Sequence, residues 1–194
     1  MKVEQRIFEH YGQTFHSFVN VTKLEKLKQY SESTLRLADF ITDVILDDRI
    51  PHEYFTEDKP RCSSLKPLKC VVTERPSRYR NIILKALQNR GNREKHYVVL
   101  KALVENPETN IVICEMPVWS INGQMLGHID CIELTQGNPS IWIWDYKPYS
   151  DIDPSGQICM YQILLSQLIQ VPIFQIGIGW FNEIEEVVIV DWKA

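Results

Sequence analysis

The second half of the chain is a succession of short segments rich in β-branched and aromatic residues, which are typical of strands. The segments are 111–113, 118–121, 125–134, 141–146, 173–181 and 187–192. One helical stretch, 157–169, interrupts them; it follows Asp153-Pro154-Ser155 and ends before Pro172. Antiparallel strands, a helix and further strands predict one mixed sheet of the α/β or α+β class.

Two reversals connect the predicted strands. Asn122-Gly123 accepts the positive φ of a type I′ turn, and Gly137-Asn138-Pro139 marks a second reversal. If the second reversal is centred between Gly137 and Asn138, Asp130 lies directly opposite Asp145. Directly opposed side chains have Cβ atoms about 4.5–5.5 Å apart, where like charges are destabilising. The sequence therefore predicts two carboxylates that need a compensating cation.

The first part of the chain is expected to be mainly helical. Apolar residues recur at helical spacing over 21–49, with a break near Ser31, where a serine can cap a second helix. Prolines and charges leave 50–76 as a loop with a short strand at Cys70-Val71-Val72. We expect one domain over residues 1–194, with a helical N-terminal portion, 1–75, of unassigned role.

A further pair of helices is predicted between this portion and the strands. The helical pattern runs from Ser77 to Val104, with a break at Gly91 and a stop at Asn106-Pro107. His96 shares a helix face with Leu100, so its imidazole is expected to point towards the core. A single histidine of this kind is more often a hydrogen-bonded core residue than a ligand.

Composition narrows the class of protein. The formal net charge of −4 gives no general attraction to a polyanion, so nucleic-acid binding would need a local basic patch. No apolar run suits a membrane helix or a signal peptide, and we expect a cytoplasmic protein without membrane contact. Five cysteines without a CxxC pair favour reduced thiols over disulfides or structural zinc.

Strand alternation groups the polar residues of the last hairpin. Lys147 falls on the same face as Asp145, whereas Trp144 and Tyr146 fall on the opposite face. Mg²⁺ or Mn²⁺ takes oxygen ligands and would remove the repulsion between Asp130 and Asp145. An isolated Asp-x-Lys is most often a solvated strand end with an ordinary ion pair. Here, however, the following helix aims further polar groups at the same region.

Those groups are Gln157 and Tyr161, which lie four residues apart and share a helix face with Leu164, Leu165 and Leu168. The ordered series Gly127-x-x-Asp130, Asp145-x-Lys147 and Gln157-x-x-x-Tyr161, with an upstream helical histidine, resembles the RecB-like branch of the PD-(D/E)XK nucleases. The resemblance covers about half of the chain. It implies a restriction-endonuclease-like core of α-β-β-β-α-β order within 76–194.

The resemblance also implies roles for individual residues. Its metal ligands would be His96, Asp130 and Asp145, and Lys147 would assist the hydrolytic water. Gln157 and Tyr161 would hold the site or contact DNA. Some members use a helical glutamate as the first ligand, which makes Glu94 an alternative to His96. Glu115 is a third candidate.

Two departures from that branch limit the cofactors. CRISPR-associated relatives have three C-terminal cysteines for an iron-sulfur cluster, whereas no cysteine follows Cys159 here, so we expect no cluster. No GxxxxGK[ST] loop is present, and we expect no nucleotide cofactor. The implied cofactor is Mg²⁺ or Mn²⁺.

The expected substrate is DNA, as single strands or duplex ends. A basic stretch is a candidate for phosphate contacts, with a solvated helix face as the alternative; its residues are Arg78, Arg80, Lys85, Arg90, Arg93 and Lys95. We expect an exonuclease-like enzyme of repair, recombination or mobile-element biology. The alternatives are a catalytically silent binding protein with a nuclease fold and a restriction-type endonuclease. Protein partners and a homo-oligomer remain open.

Overall fold

An eight-stranded sheet organises the computed structural model, which describes residues 1–88, 95–148 and 153–192. Neighbouring strands are antiparallel except for β6 and β7, which are parallel. The predicted mixed sheet of the α+β class is therefore confirmed. In spatial order the strands are β1 (Val3–His10), β2 (Gln13–Asn20), β4 (Ile111–Trp119), β5 (Leu126–Leu134), β6 (Ile141–Tyr146), β7 (Ile176–Phe181), β8 (Glu185–Trp192) and β3 (Cys70–Pro76).

Helices cover both faces of the sheet. In the described part of the chain they are α1 (Val21–Leu27), α2 (Glu32–Phe40), α3 (Arg80–Gln88), α4 (Lys95–Glu105) and α5 (Ser155–Ile169). One hydrophobic cluster joins α1, α2 and α5 to the sheet, and a second joins α3 and α4 to it. None of these helices is long and apolar enough to cross a membrane. The predicted break at Gly91 lies outside the described residues.

Local sequence signals explain where several of these helices begin and end. Ser31 caps α2 as predicted, since its hydroxyl accepts a hydrogen bond from the Thr34 amide. Ser155 begins α5 after Asp153, whose carboxylate accepts a hydrogen bond from the Ser155 amide. α5 then forms the crossover between β6 and β7, which a pair of parallel strands requires.

The predicted register of β5 against β6 is confirmed. Cys131 pairs with Trp144 and Leu134 with Ile141, so continuing the ladder places Asp130 opposite Asp145. The face assignment is confirmed as well. Ile132 and Ile143 belong to the cluster beneath α5, and Trp144 and Tyr146 belong to the cluster beneath α3 and α4; both tryptophans, Trp142 and Trp144, stack on each other.

Residues 3–20 form strands, which corrects the expectation of a helical N-terminal portion for that stretch; the two helices predicted after residue 20 are present as α1 and α2. β1 and β2 pair along their whole length around Tyr11-Gly12, and both turn residues have positive φ (56° and 68°). This is the geometry of a type I′ turn. The boundary expected between residues 75 and 76 falls inside β3 and not in a linker.

The connection between β4 and β5 differs from the predicted two-residue turn. The strands pair as predicted, but 120–125 forms a wider loop in which Gly123 has positive φ (65°) and Asn122 does not. The Ser120 hydroxyl accepts hydrogen bonds from the amides of Gln124 and Met125, and these bonds stabilise the longer loop.

Gly127 allows α5 to lie close to β5. A Cβ atom at Gly127 would lie 2.5 Å from Cε1 of Tyr161, whose ring is buried. We therefore expect Gly127→Ala to cost about 1–3 kcal/mol in the free energy of unfolding through overpacking. The melting temperature should fall by about 2–4 °C per kcal/mol for a chain of this size.

Gly137→Ala is the matched control for this substitution, because the nearest atom to its Cβ would be 3.9 Å away. Its melting temperature should equal that of the wild type. Equal melting temperatures for the two variants would show that the close approach of Tyr161 to Gly127 is not a packing constraint.

Candidate metal centre

Three carboxylates lie at one level of three neighbouring strands. The pairs Cys114–Cys131 and Met116–Ile129 flank Glu115 and place it opposite Asp130. The β5–β6 register places Asp130 opposite Asp145 in turn. Asp130 and Asp145 are buried, and Glu115 is partly buried. The sheet therefore concentrates three acidic side chains where like charges repel each other.

Glu115 has an unusual backbone for a strand residue, with φ of 50°. Residues other than glycine in this left-handed region cost roughly 1–2 kcal/mol each. The regular pairs on either side of Glu115 resume at once, so the deviation is confined to this residue. Local strain of this kind occurs where the surrounding structure holds a side chain in a particular orientation.

His96 lies between two of the acids. Its Nε2 atom is 3.3 Å from Oδ1 of Asp130 and 3.5 Å from Oε1 of Glu115. One ligand atom from each of these three residues lies within 4.8 Å of the other two. A nitrogen and two carboxylate oxygens at this separation can converge on one divalent cation.

Asp145 forms the other half of the site. Its Oδ2 atom is 2.5 Å from Nζ of Lys147, and its Oδ1 atom accepts a 3.3 Å hydrogen bond from the Gln157 amide. Gln157 also donates to the Tyr161 hydroxyl at 2.8 Å. Asp130 accepts a 2.7 Å hydrogen bond from the Tyr146 backbone amide. These contacts hold both aspartates in fixed orientations.

The pKa values reflect how crowded these charges are. Burial and the charge of Asp130 raise the pKa of Asp145 to about 7, and burial also raises the pKa of Glu115. For Asp130, burial opposes ionisation, but His96 and Lys147 lower its pKa below the ordinary value. Burial likewise opposes the charge on His96, but Asp130 and Glu115 raise its pKa to about 11. The positive charges of His96 and Lys147 therefore compensate the negative charge of the three carboxylates only in part.

The structure brings together the five residues that the motifs single out as catalytic: Asp130, Asp145, Lys147, Gln157 and Tyr161. Among the candidates for the first ligand, both His96 and Glu115 lie beside Asp130. The tight group of three ligand atoms contains Glu115 in place of Asp145, which was expected to share the metal with His96 and Asp130. Glu94 lies outside the described residues.

Arg78 of the predicted basic patch already has carboxylate partners. Its guanidinium is 2.8 Å from Glu133 and 3.3 Å from Glu186, both buried, and it lies over the ring of Trp144. Arg75 also pairs with Glu186. Arg78 therefore links the segment just before α3 to β5 and β8. Removing it would take a partner from the buried carboxylates of Glu133 and Glu186, which is costly.

Of the remaining basic candidates, the structure describes the side chains of Lys85 and Arg80. Lys85 lines a shallow groove beside Glu105, at the end of α4 opposite to His96. At 1.5 Å per residue, that end lies about 13 Å from His96. Arg80 is exposed at the start of α3. Three candidates fall outside the described side chains: Arg90, Arg93 and Lys95.

A cleft of about 290 Å³ opens beside the acidic cluster and has walls that the sequence analysis missed. The β1–β2 hairpin contributes Tyr11, Gln13 and Phe15, and the segment after residue 60 contributes Arg61 and Ser63. The glycine at position 12, between two segments that contain β-branched and aromatic residues, is the signal that could have predicted this hairpin.

Three histidines behind the cleft form a hydrogen-bonded chain. His128, which lines the cleft, meets His10 at 2.9 Å, His10 meets His52 at 2.9 Å, and Nε2 of His52 is 2.8 Å from Asp48. Burial lowers the pKa of His10 to about 4 and also lowers that of His128, so both rings are neutral at pH 7. As a neutral ring, His10 donates one of its two hydrogen bonds and accepts the other.

Comparisons with family models, curated proteins and solved structures find no match for this chain. The case for a function therefore depends on the geometry of the cluster around Asp130 and Asp145.

A pH-dependent gain in stability should follow from replacing Asp145. Its raised pKa means that the folded state binds a proton more tightly than the unfolded state, so its contribution to stability falls as pH rises from about 4 to about 7. Asp145→Asn in EDTA should therefore melt at least about 2 °C above the wild type at pH 8. This gap should shrink at pH 5.

Asp39→Asn, on the exposed face of α2, is the control and should leave the melting temperature unchanged at both pH values. Thermal unfolding followed by circular dichroism measures all three proteins. A gap between Asp145→Asn and the wild type that is the same at pH 5 and pH 8 would contradict the assignment of charge strain to Asp145.

Proposed function

We propose that this protein is a metal-dependent nuclease that hydrolyses phosphodiester bonds in DNA, built on a restriction-endonuclease-like core and similar to RecB-like PD-(D/E)XK enzymes. One observation carries the proposal. Glu115, Asp130 and Asp145 lie at one level of three adjacent strands, with Lys147 against Asp145 and His96 against Asp130.

The order of elements around the cluster supports this core. α4 precedes the antiparallel strands β4, β5 and β6, and α5 then leads to β7, parallel to β6. This is the α-β-β-β-α-β order that the resemblance implies. The acids lie on the three strands, His96 comes from the first helix, and Gln157 and Tyr161 come from the second.

The residues present fit a divalent metal. Oxygen atoms of Glu115 and Asp130 and a nitrogen of His96 are close enough to share one ion, and Asp145 lies on the next strand. Mg²⁺ and Mn²⁺ prefer such oxygen-rich sites. When bound, the metal would supply Lewis-acid stabilisation for the negative charge that develops on the phosphate oxygens.

The protein's own side chains have distinct tasks in this proposal. Lys147 is held by Asp145, so its ammonium can orient the attacking water or stabilise the charged phosphate oxygens through its remaining donors. Gln157 holds Asp145 in place and is itself bonded to Tyr161. Fixed donors and acceptors of this kind need no reorganisation during the reaction.

Cleavage assays with labelled single-stranded, linear duplex and circular DNA test the proposal. With Mg²⁺ or Mn²⁺ we expect the linear or single-stranded substrates to be cut and EDTA to abolish cleavage. Asp130→Asn should lower the rate by about 10²–10³-fold, because it weakens the hold on the metal that would stabilise the developing charge. Asp39→Asn is the control and should cleave like the wild type. Undiminished cleavage in EDTA or by Asp130→Asn would refute the metal site.

Proton release on metal binding separates the roles of His96 and Glu115. The pKa of His96 is about 11 without metal, so at pH 8 a metal that bonds to its ring must displace a proton. Titration calorimetry in two buffers of different ionisation enthalpy should therefore give about one proton released by the wild type. His96→Gln should release none and bind more weakly. If the wild type binds the metal without releasing a proton, His96 is not a ligand, and Glu115 and the aspartates are.

A further inference from the structure

Arg61 is fixed next to the sheet at the edge of the cleft. Its backbone forms a bridge with Leu126 at the start of β5, one residue before Gly127. Its carbonyl oxygen accepts hydrogen bonds from the amide and hydroxyl of Ser64, at 3.0 and 2.6 Å. The short 3-10 turn that follows, Cys62–Ser64, packs against α5 and is anchored by the buried Cys62. The backbone of Arg61 is therefore held in a defined position.

The guanidinium of Arg61 lies over an aromatic ring. Its central carbon is 3.9 Å from the ring centroid of Tyr11, in the type I′ turn of the β1–β2 hairpin. Within the described residues Arg61 has no carboxylate partner, whereas Arg78 has two. A stacked guanidinium keeps its N–H donors at its rim, in the fork geometry that suits a phosphate.

Other polar groups line the same cleft. Gln13 and Ser63 are exposed, and both line the cleft together with Arg61. Glu115 and Asp130 line it as well. Thus one cleft combines acidic groups suited to a metal with an arginine, an amide and a hydroxyl, which are the groups that bind phosphate oxygens in protein–DNA complexes.

The backbone of Arg61 is anchored away from Asp130 along β5. Its bridge partner Leu126 precedes Asp130 by four residues, or about 13 Å between the two backbone positions. We expect a phosphate held by Arg61 to be a neighbour of the phosphate at the metal. A cleft of about 290 Å³ is at the small end of ligand sites, a size that suits a single strand.

We propose that Arg61, supported by Gln13 and Ser63, forms a phosphate subsite that holds a single DNA strand by a phosphate neighbouring the scissile one. The inference rests on the proposed nuclease function and adds the substrate class to it. Stacking on Tyr11 makes the β1–β2 hairpin part of the substrate site. The subsite is independent of base sequence, since it contacts the backbone.

Binding of a fluorescein-labelled single strand, measured by anisotropy in Ca²⁺, tests the subsite without cleavage. Arg61→Gln should weaken binding about tenfold, as expected for one charged hydrogen-bonding partner. It should also reduce the slope of log K against log salt by about 0.7, the value for one phosphate of a single strand. Arg61→Lys should recover part of the affinity. Arg36→Gln, an exposed arginine of α2, is the control and should bind like the wild type.

The decisive comparison uses a series of DNA strands, each with a methylphosphonate in place of the phosphate at a different position. Each methylphosphonate removes the charge of one phosphate. For the wild type, one position next to the cleavage site should weaken binding about tenfold, and at that position Arg61→Gln should show no further loss. Equal losses for both proteins at every position, or wild-type affinity of Arg61→Gln for the unmodified strand, would overturn the subsite.

Failure of the subsite and failure of the proposed function give different results. If the wild type cleaves DNA but Arg61→Gln binds and cleaves normally, the subsite alone is refuted. If single strands bind through Arg61 but no metal supports cleavage, the nuclease function alone is refuted. A wild type that binds no single-stranded DNA refutes the subsite. Unchanged circular dichroism and melting temperature of Arg61→Gln exclude misfolding as the cause of weaker binding.

Discussion

Repulsion among buried carboxylates is the constraint on which the rest of this site depends. Glu115, Asp130 and Asp145 would separate if the strands slipped by one residue, because side chains alternate between the faces of a sheet. The register instead keeps them level. Uncompensated charge of this kind opposes folding, so its retention needs a functional reason.

Neighbouring groups reduce this cost without removing it. His96 and Lys147 supply positive charge, and the Tyr146 amide and Gln157 supply hydrogen bonds. The pKa of Asp145 nevertheless stays near 7, and Glu115 adopts a strained backbone. A divalent cation would relieve the repulsion on binding. Under the proposed function, the features that lower the stability of the protein without a metal would favour metal binding.

Part of this arrangement could be predicted from the sequence, because it depends on short-range rules. The reversal at Gly137-Asn138 determines which residues of β5 and β6 face each other, and strand alternation then determines their faces. Helical spacing likewise places Gln157 and Tyr161 together on α5. Serine capping at Ser31 was predicted for the same reason, since it depends on neighbouring residues only.

Other features depend on contacts that are distant in sequence or on backbone geometry. The positive φ of Glu115 has no sequence signal, because glutamate rarely adopts it. From the sequence, Glu115 was one of three candidates for the first ligand, beside His96 and Glu94. Arg61 lies in a stretch without periodicity, and its place in the cleft depends on a bridge to Leu126. The Tyr11-Gly12 turn lacks the Asn-Gly pair that usually indicates such hairpins.

The most direct test of the central claim is anomalous scattering from crystals soaked in Mn²⁺. The account predicts a peak bonded to Asp130, with Glu115 or His96 from one side and Asp145 from the other. It also predicts that the peak disappears in Asp130→Asn crystals. A structure without Mn²⁺ at this cluster, or with Mn²⁺ bound only elsewhere on the protein, would contradict the claim that these carboxylates form a metal site.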